Sequence, residues 1–158
     1  MRCCGARPAP GRRARLALGF APTRNALRRR VSGLSIAYPP PRGEKAHPWA
    51  GRRVPDVTIG GSRLYERMRD GRFVLLDRTD AGEVARTAKE GWYERVDIVR
   101  IPTASARNLP AVLLVRPDGY AAWATDAPAA EERFSAGRVA LRRWCGCVIA
   151  RKGEHENC

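Results

Sequence analysis

Apolar residues between positions 57 and 144 fall into short runs separated by turn residues, alternately strand-like and helix-like in pattern. Phe73-Val74-Leu75-Leu76 and Ala111-Val112-Leu113-Leu114-Val115 are uninterrupted apolar runs of strand length, which suits strands covered on both faces. Val57–Ile59 reads as a shorter strand closed by Gly60-Gly61. Ser62 is then placed to cap a helix in which Leu64 and Met68 lie four residues apart, and Gly71 ends it. Asp80 and Glu83 give a start signal comparable to a capping box, opening a helix through Glu90 with Val84, Ala85 and Ala88 as its buried face. Val96–Ile101 is the next strand.

A β-hairpin is predicted where Arg116-Pro117-Asp118-Gly119-Tyr120 follows the run ending at Val115. Pro117 presets φ for a turn, Asp118 can bond its own backbone, and Gly119 accepts positive φ. Tyr120–Thr125 returns as the partner strand. The last helix is expected over Glu131–Trp144, with Phe134, Val139, Leu141 and Trp144 as core contacts and Gly137 as a weak point. Strands that alternate with helices and then pair as a hairpin imply an α/β fold: a mixed sheet with helices on both faces.

Length and charge narrow the organisation. A chain of 158 residues supports one core with flanks to spare. Three segments are expected: a basic, disordered arm with a proline-rich linker over 1–43, a folded domain over 44–146, and a flexible tail over 147–158. The formal charge of +14 is concentrated in the arm, which holds ten arginines and no acidic residue before Glu44. Within Arg52–Asp126 the balance is 13 basic against 11 acidic residues, so the folded part is close to neutral. A basic arm can bind polyanions by counterion release. With Phe20 and Tyr38 its only aromatics, however, it offers no base-stacking platform. No apolar run reaches bilayer length, and Leu16–Ala21 is too short for a signal-peptide core, so a cytoplasmic location is expected.

Cys3, Cys4, Cys145, Cys147 and Cys158 all lie near the ends, and their odd number argues against a closed disulfide framework. Cys145-Gly146-Cys147 lacks the spacing of a zinc half-site, and His47, His155 and Cys158 complete no zinc pattern. These cysteines are expected to be ordinary tail thiols.

Four phrases, in order, carry a resemblance: Arg30-Val31-Ser32-Gly33-Leu34-Ser35-Ile36-Ala37-Tyr38-Pro39; His47-Pro48-Trp49-Ala50-Gly51-Arg52-Arg53-Val54-Pro55-Asp56; Ser62 through Leu76; and Arg116–Tyr120 with its flanking strands. From about Leu27 to Gly146 the chain resembles the C-terminal, thioredoxin-like module of FAD-dependent aromatic-ring hydroxylases, without their FAD-binding domain. The resemblance implies a thioredoxin-like mixed sheet flanked by helices. It also implies that whole enzymes of this kind use FAD, NAD(P)H and oxygen, with a flavin domain or a second copy as this module's partner.

The chemistry of either family is not expected on this chain. An active thioredoxin carries Cys-x-x-Cys between its first core strand and helix; the equivalent stretch, Leu76–Glu83, has no cysteine. Pro110 stands where that fold keeps a cis-proline, so a cis Leu109–Pro110 bond is considered. Asp77, Asp80 and Glu83 read as a turn residue, a helix cap and its capping partner rather than a metal or acid–base cluster. His47 and His155 have no triad companions. Trp92, Tyr93 and Trp123 read as packing rather than a ligand cage. No Gly-x-Gly-x-x-Gly follows a strand, and Gly60-Gly61-Ser62, Gly51-Arg52-Arg53 and Asp118-Gly119 are not cofactor motifs. No catalytic, cofactor-binding or metal residue is therefore assigned.

The expected function is a non-catalytic packing or dimerisation module, present as a fragment or truncated paralogue of such a monooxygenase. Two other classes compete with it: a small basic nucleic-acid-binding protein acting through the arm, and a degenerate peroxiredoxin-like protein suggested by Gly51–Asp56.

Overall fold

The computed structural model describes Tyr38, residues 46–104 and residues 106–148, all within the compact unit Ala37–Cys158. The expected arm, most of the linker and most of the tail lie outside the described residues. Among these residues nine helices and strands follow in order: β1 (Thr58–Ile59), β2 (Ser62–Arg63), α1 (Leu64–Arg67), β3 (Phe73–Asp77), α2 (Glu83–Gly91), β4 (Val96–Arg100), β5 (Val112–Val115), β6 (Ala121–Thr125) and α3 (Ala130–Cys145). A 3-10 turn, Met68–Asp70, follows α1.

The main sheet has the order β4-β3-β5-β6. β3 runs parallel to β4, with Leu75 opposite Ile98, and antiparallel to β5, with Leu75 opposite Leu114. The parallel β3–α2–β4 crossover followed by an antiparallel β5–β6 pair is the thioredoxin-like arrangement. The two unbroken apolar runs occupy the two central strands, as their patterning requires, because a central strand buries both faces.

Alternation along these strands divides the interior in two. Leu75, Val112 and Leu114 pack with Val84, Ala88, Trp92 and Leu141 beneath α2 and α3. Val74, Leu76, Leu113 and Val115 pack on the opposite face with Val54, Ile59, Leu64, Met68 and Leu109. Helical segments therefore lie on both faces, but unequally: both long helices share one face, and the other is covered by the lead-in with one-turn α1 and by the loop after β4.

The hairpin forms as the sequence indicates. The Gly119 amide donates to the Arg116 carbonyl at 2.9 Å and the Arg116 amide to the Tyr120 carbonyl at 2.8 Å. Gly119 adopts φ +86°, the left-handed residue that closes a three-residue hairpin loop. Beyond it the register slips between Leu114 and Val115, so Ala122 and Trp123 both face the α2–α3 side.

Three local expectations are corrected. Ser62 does not cap α1; it lies in β2, paired with Ile59, and the N-cap is Arg63. The cap acceptor comes from upstream, where Asp56 Oδ1 takes the Tyr65 amide at 3.1 Å. Asp80 does not cap α2 either, because Gly82 is the N-cap. Asp77, at the end of β3, accepts the Ala85 amide at 3.1 Å instead. Finally, Phe134, Val139 and Trp144 are exposed, and α3 buries Gly137, Ala140, Leu141 and Cys145. The axes of α2 and α3 approach closely at Gly137, where an added Cβ would stand 2.8 Å from Val84 Cγ1.

Candidate functional site

The β3–α2 junction is where a thioredoxin-like fold carries redox chemistry, and here its polar groups serve one another. Asp77 is fully buried; its Oδ1 accepts the Thr79 hydroxyl at 2.6 Å and the Thr79 amide at 2.9 Å. The Thr79 hydroxyl oxygen accepts the Gly82 amide at 3.1 Å. Glu83 is no capping partner of Asp80. It turns inward to pair with Arg133 of α3, both side chains about nine-tenths buried. Burial works to raise the Glu83 carboxyl, but Arg133, the helix backbone and Thr79 outweigh it and hold the carboxyl below its usual range. Arg133 also donates to the Ala127 carbonyl at 2.9 Å and the Pro128 carbonyl at 2.6 Å. This cluster binds α2 to β3 and α3.

The remaining sequence candidates do not converge. The Leu109–Pro110 bond is trans, so the cis expectation is corrected. His47 is held on both ring nitrogens: Nδ1 accepts the Trp49 amide at 3.2 Å, so Nε2 carries the proton and donates to Asp126 at 2.9 Å. Burial tends to raise the Asp126 carboxyl; the Ala111 amide, at 2.7 Å, and His47 overcome this and lower it. Trp92 belongs to the core, and its Nε1 donates to the Gly146 carbonyl at 2.7 Å, while Tyr93 is exposed, so no cage forms with Trp123. Cys145 is a buried free thiol, pushed by burial up to about 11 against the opposing charge of Arg95. Such a thiol holds almost no thiolate at neutral pH. Cys147 is disulfide-bonded, so the expectation of plain tail thiols is corrected there. Among the described residues no three of His, Cys, Asp and Glu converge as metal ligands, and no helix is long and apolar enough to cross a membrane.

One concave feature was not anticipated. A groove of about 670 Å³ lies between α3, β6 and the entering chain, with an alanine floor (Ala121, Ala122 and Ala124) and walls from Tyr38, Trp123 and Trp144. Arg116 spans the wall, 5.7 Å from the Tyr38 ring centroid and 5.5 Å from that of Trp144. Tyr38 is fixed in turn by its amide, which donates to the Gly51 carbonyl at 2.9 Å, and by an edge contact with Tyr120, 5.1 Å between centroids. Arg53 extends the row between Tyr65 and Tyr120. Gly51-Arg52-Arg53 thus has a structural role, joining the lead-in to the hairpin. The one trace of the groove in the sequence was the α3 stripe Glu132, Ser135, Ala136, Val139 and Arg143, obscured because Val139 read as core.

An FAD pyrophosphate would need backbone amides at a glycine turn opening a helix. The described residues do not fit it. The N-terminus of α2 is filled by the Asp77 carboxylate, and that of α3 carries Glu131 and Glu132 in its first turn. Gly60-Gly61 closes the β1–β2 hairpin rather than a strand-to-helix turn.

A family model described as aromatic-ring hydroxylase, C-terminal, matches residues 47–147. A rifampicin monooxygenase from Streptomyces venezuelae is 41% identical over 95 residues, covering 60% of this chain and 18% of that protein. An anhydrotetracycline monooxygenase from Streptomyces rimosus is 41% identical over 130 residues, 73% of this chain and 23% of its own length. The solved anhydrotetracycline hydroxylase OxyS from the same species superposes with a TM-score of 0.62 at 34% identity, over 85% of this chain and 28% of that one. The chain thus spans about a fifth of the length of the curated relatives it matches.

Proposed function

Because the chain belongs to the aromatic-ring hydroxylase C-terminal family, we propose that it is a cytoplasmic, non-catalytic accessory module of an FAD-dependent aromatic monooxygenase. Its role is packing: against the flavin-bearing part of such an enzyme, or against a second copy of itself. The observation that carries this reading is the filled β3–α2 junction, where a buried carboxylate caps the helix in the place a reactive group would occupy. FAD and NAD(P)H belong to the partner in this account, since cofactors supply the redox chemistry and the protein must hold them. The same carboxylate that stabilises α2 would repel a pyrophosphate there.

Hydroxylation of an aromatic substrate is the partner's activity in this account, and the module's contribution is to the stability and assembly of the whole. A direct test mixes the purified chain with FAD, NADPH and oxygen. NADPH should disappear no faster than with free flavin alone, whatever the protein concentration. Oxidation that rises in proportion to the chain and saturates with NADPH would overturn the assignment.

A further inference from the structure

We propose that the outward stripe of α3, with the groove beside it, is a self-association surface on which a second copy of this chain docks through a two-fold, antiparallel contact between α3 helices. The proposal rests on reading the chain as a packing module and names the face and the partner that reading leaves open.

α3 is amphipathic in an unusual way. Its inward face is built from Gly137, Ala140, Leu141 and Cys145, which press against α2 and the sheet. A second stripe, Glu132, Ser135, Ala136, Val139 and Arg143, recurs at i, i+3, i+4, i+7 and i+11 and lines the groove. Val139, at the middle of that stripe, is 67% exposed and shares the groove lining with Ala136, Trp123 and Trp144, so the exposed apolar surface is a patch rather than a single residue. Ser135 and Ala136, one turn away, are small enough to admit a close helix, and the alanine floor of β6 continues the depression beside them.

Knob and hollow therefore lie on one face, as an isologous interface requires. A two-fold axis between Ala136 and Val139 would set each Val139 against the Ser135–Ala136 step of the other copy. The charges select the direction. Glu132 begins the stripe and Arg143 ends it, about 16 Å further along the axis at 1.5 Å per residue. An antiparallel copy brings each Glu132 to the partner copy's Arg143, whereas a parallel one opposes like charges at both ends. Arg143 already interacts within its own chain. A guanidinium has five donors, enough for a carboxylate in addition. A flavin domain would have to supply its own complement to this pattern; a second copy carries it in the same residues.

Sedimentation velocity of the full chain under reducing conditions, from about 1 to about 100 µM, tests the proposal. A reversible dimer is expected. Val139→Glu should weaken it by about tenfold or more, with an unchanged circular dichroism spectrum because the position is exposed. Glu132→Arg and Arg143→Glu should each weaken association, and the two together should restore it. A wild-type chain that stays monomeric, a dimer indifferent to Val139→Glu, or a double reversal that recovers nothing would each overturn the proposal. A monomer that instead co-purifies with a flavoprotein through Val139 would also overturn it, while leaving the accessory reading in place. NADPH turnover by the chain alone would remove the accessory reading whether or not a dimer forms.

Discussion

Gly137 sits in the middle of α3, where helix propensity alone favours alanine by about 1 kcal/mol. The structure reverses the sign of that substitution. A methyl group at this position would lie 2.8 Å from Val84 Cγ1 and 3.0 Å from its Cγ2, too close without displacing α2. Overpacking of this kind costs about 1–3 kcal/mol, so Gly137→Ala should destabilise the fold by about 1 kcal/mol net in urea unfolding. In Val84→Ala the methyl has room, and adding Gly137→Ala to that variant should stabilise it or leave it unchanged. Two independent, additive losses would contradict the contact. The sequence exposes Gly137 as a flaw because propensity belongs to one helix, whereas its use depends on a residue 53 positions away.

At the scale of elements, legibility followed how local the determinants are. The central strands and the β5–β6 hairpin were readable because an unbroken apolar run and a Pro-Asp-Gly turn act over a few residues. The helix caps were misread for the opposite reason. Asp56 and Asp77 reach forward from outside the capped segments, nine and eight residues before the amides they accept, where a short-range capping box cannot show them. The orientation of α3 was obscured by composition. Its inward face is mostly small, with Gly137, Ala140 and Cys145 beside Leu141, while Phe134, Val139 and Trp144 point outward.

The α2–α3 junction is instead anchored by the Glu83–Arg133 pair, and removing one member strands a buried charge. Glu83→Ala should cost about 3 kcal/mol. The Glu83 carboxyl is lowered in the folded state, so its contribution is full above its ordinary value of 4.5 and is lost as pH falls through the folded value. Glu83→Gln should therefore flatten the acid limb of stability against pH, only in part, because Asp126 is lowered too. An acid limb unchanged in Glu83→Gln would show that the pair does not govern α2–α3 docking.

For the whole molecule, three features point the same way. The thioredoxin-like core is complete in its β-α-β and β-β-α halves, so the scaffold folds around a full sheet. The junction that could carry redox chemistry is filled by a helix cap. α2 and α3 both begin beside carboxylates, which disfavours the phosphate groups of a dinucleotide there. The fold and family were legible because four phrases in fixed order mark them; the groove was not, since it arises where the entering chain, β6 and α3 meet. Flavin retention tests most directly whether this module holds a cofactor of its own. The chain is incubated with excess FAD, desalted, and its absorbance near 450 nm compared with its protein concentration. No flavin above the level carried by an unrelated protein is expected. One FAD retained per chain would contradict it.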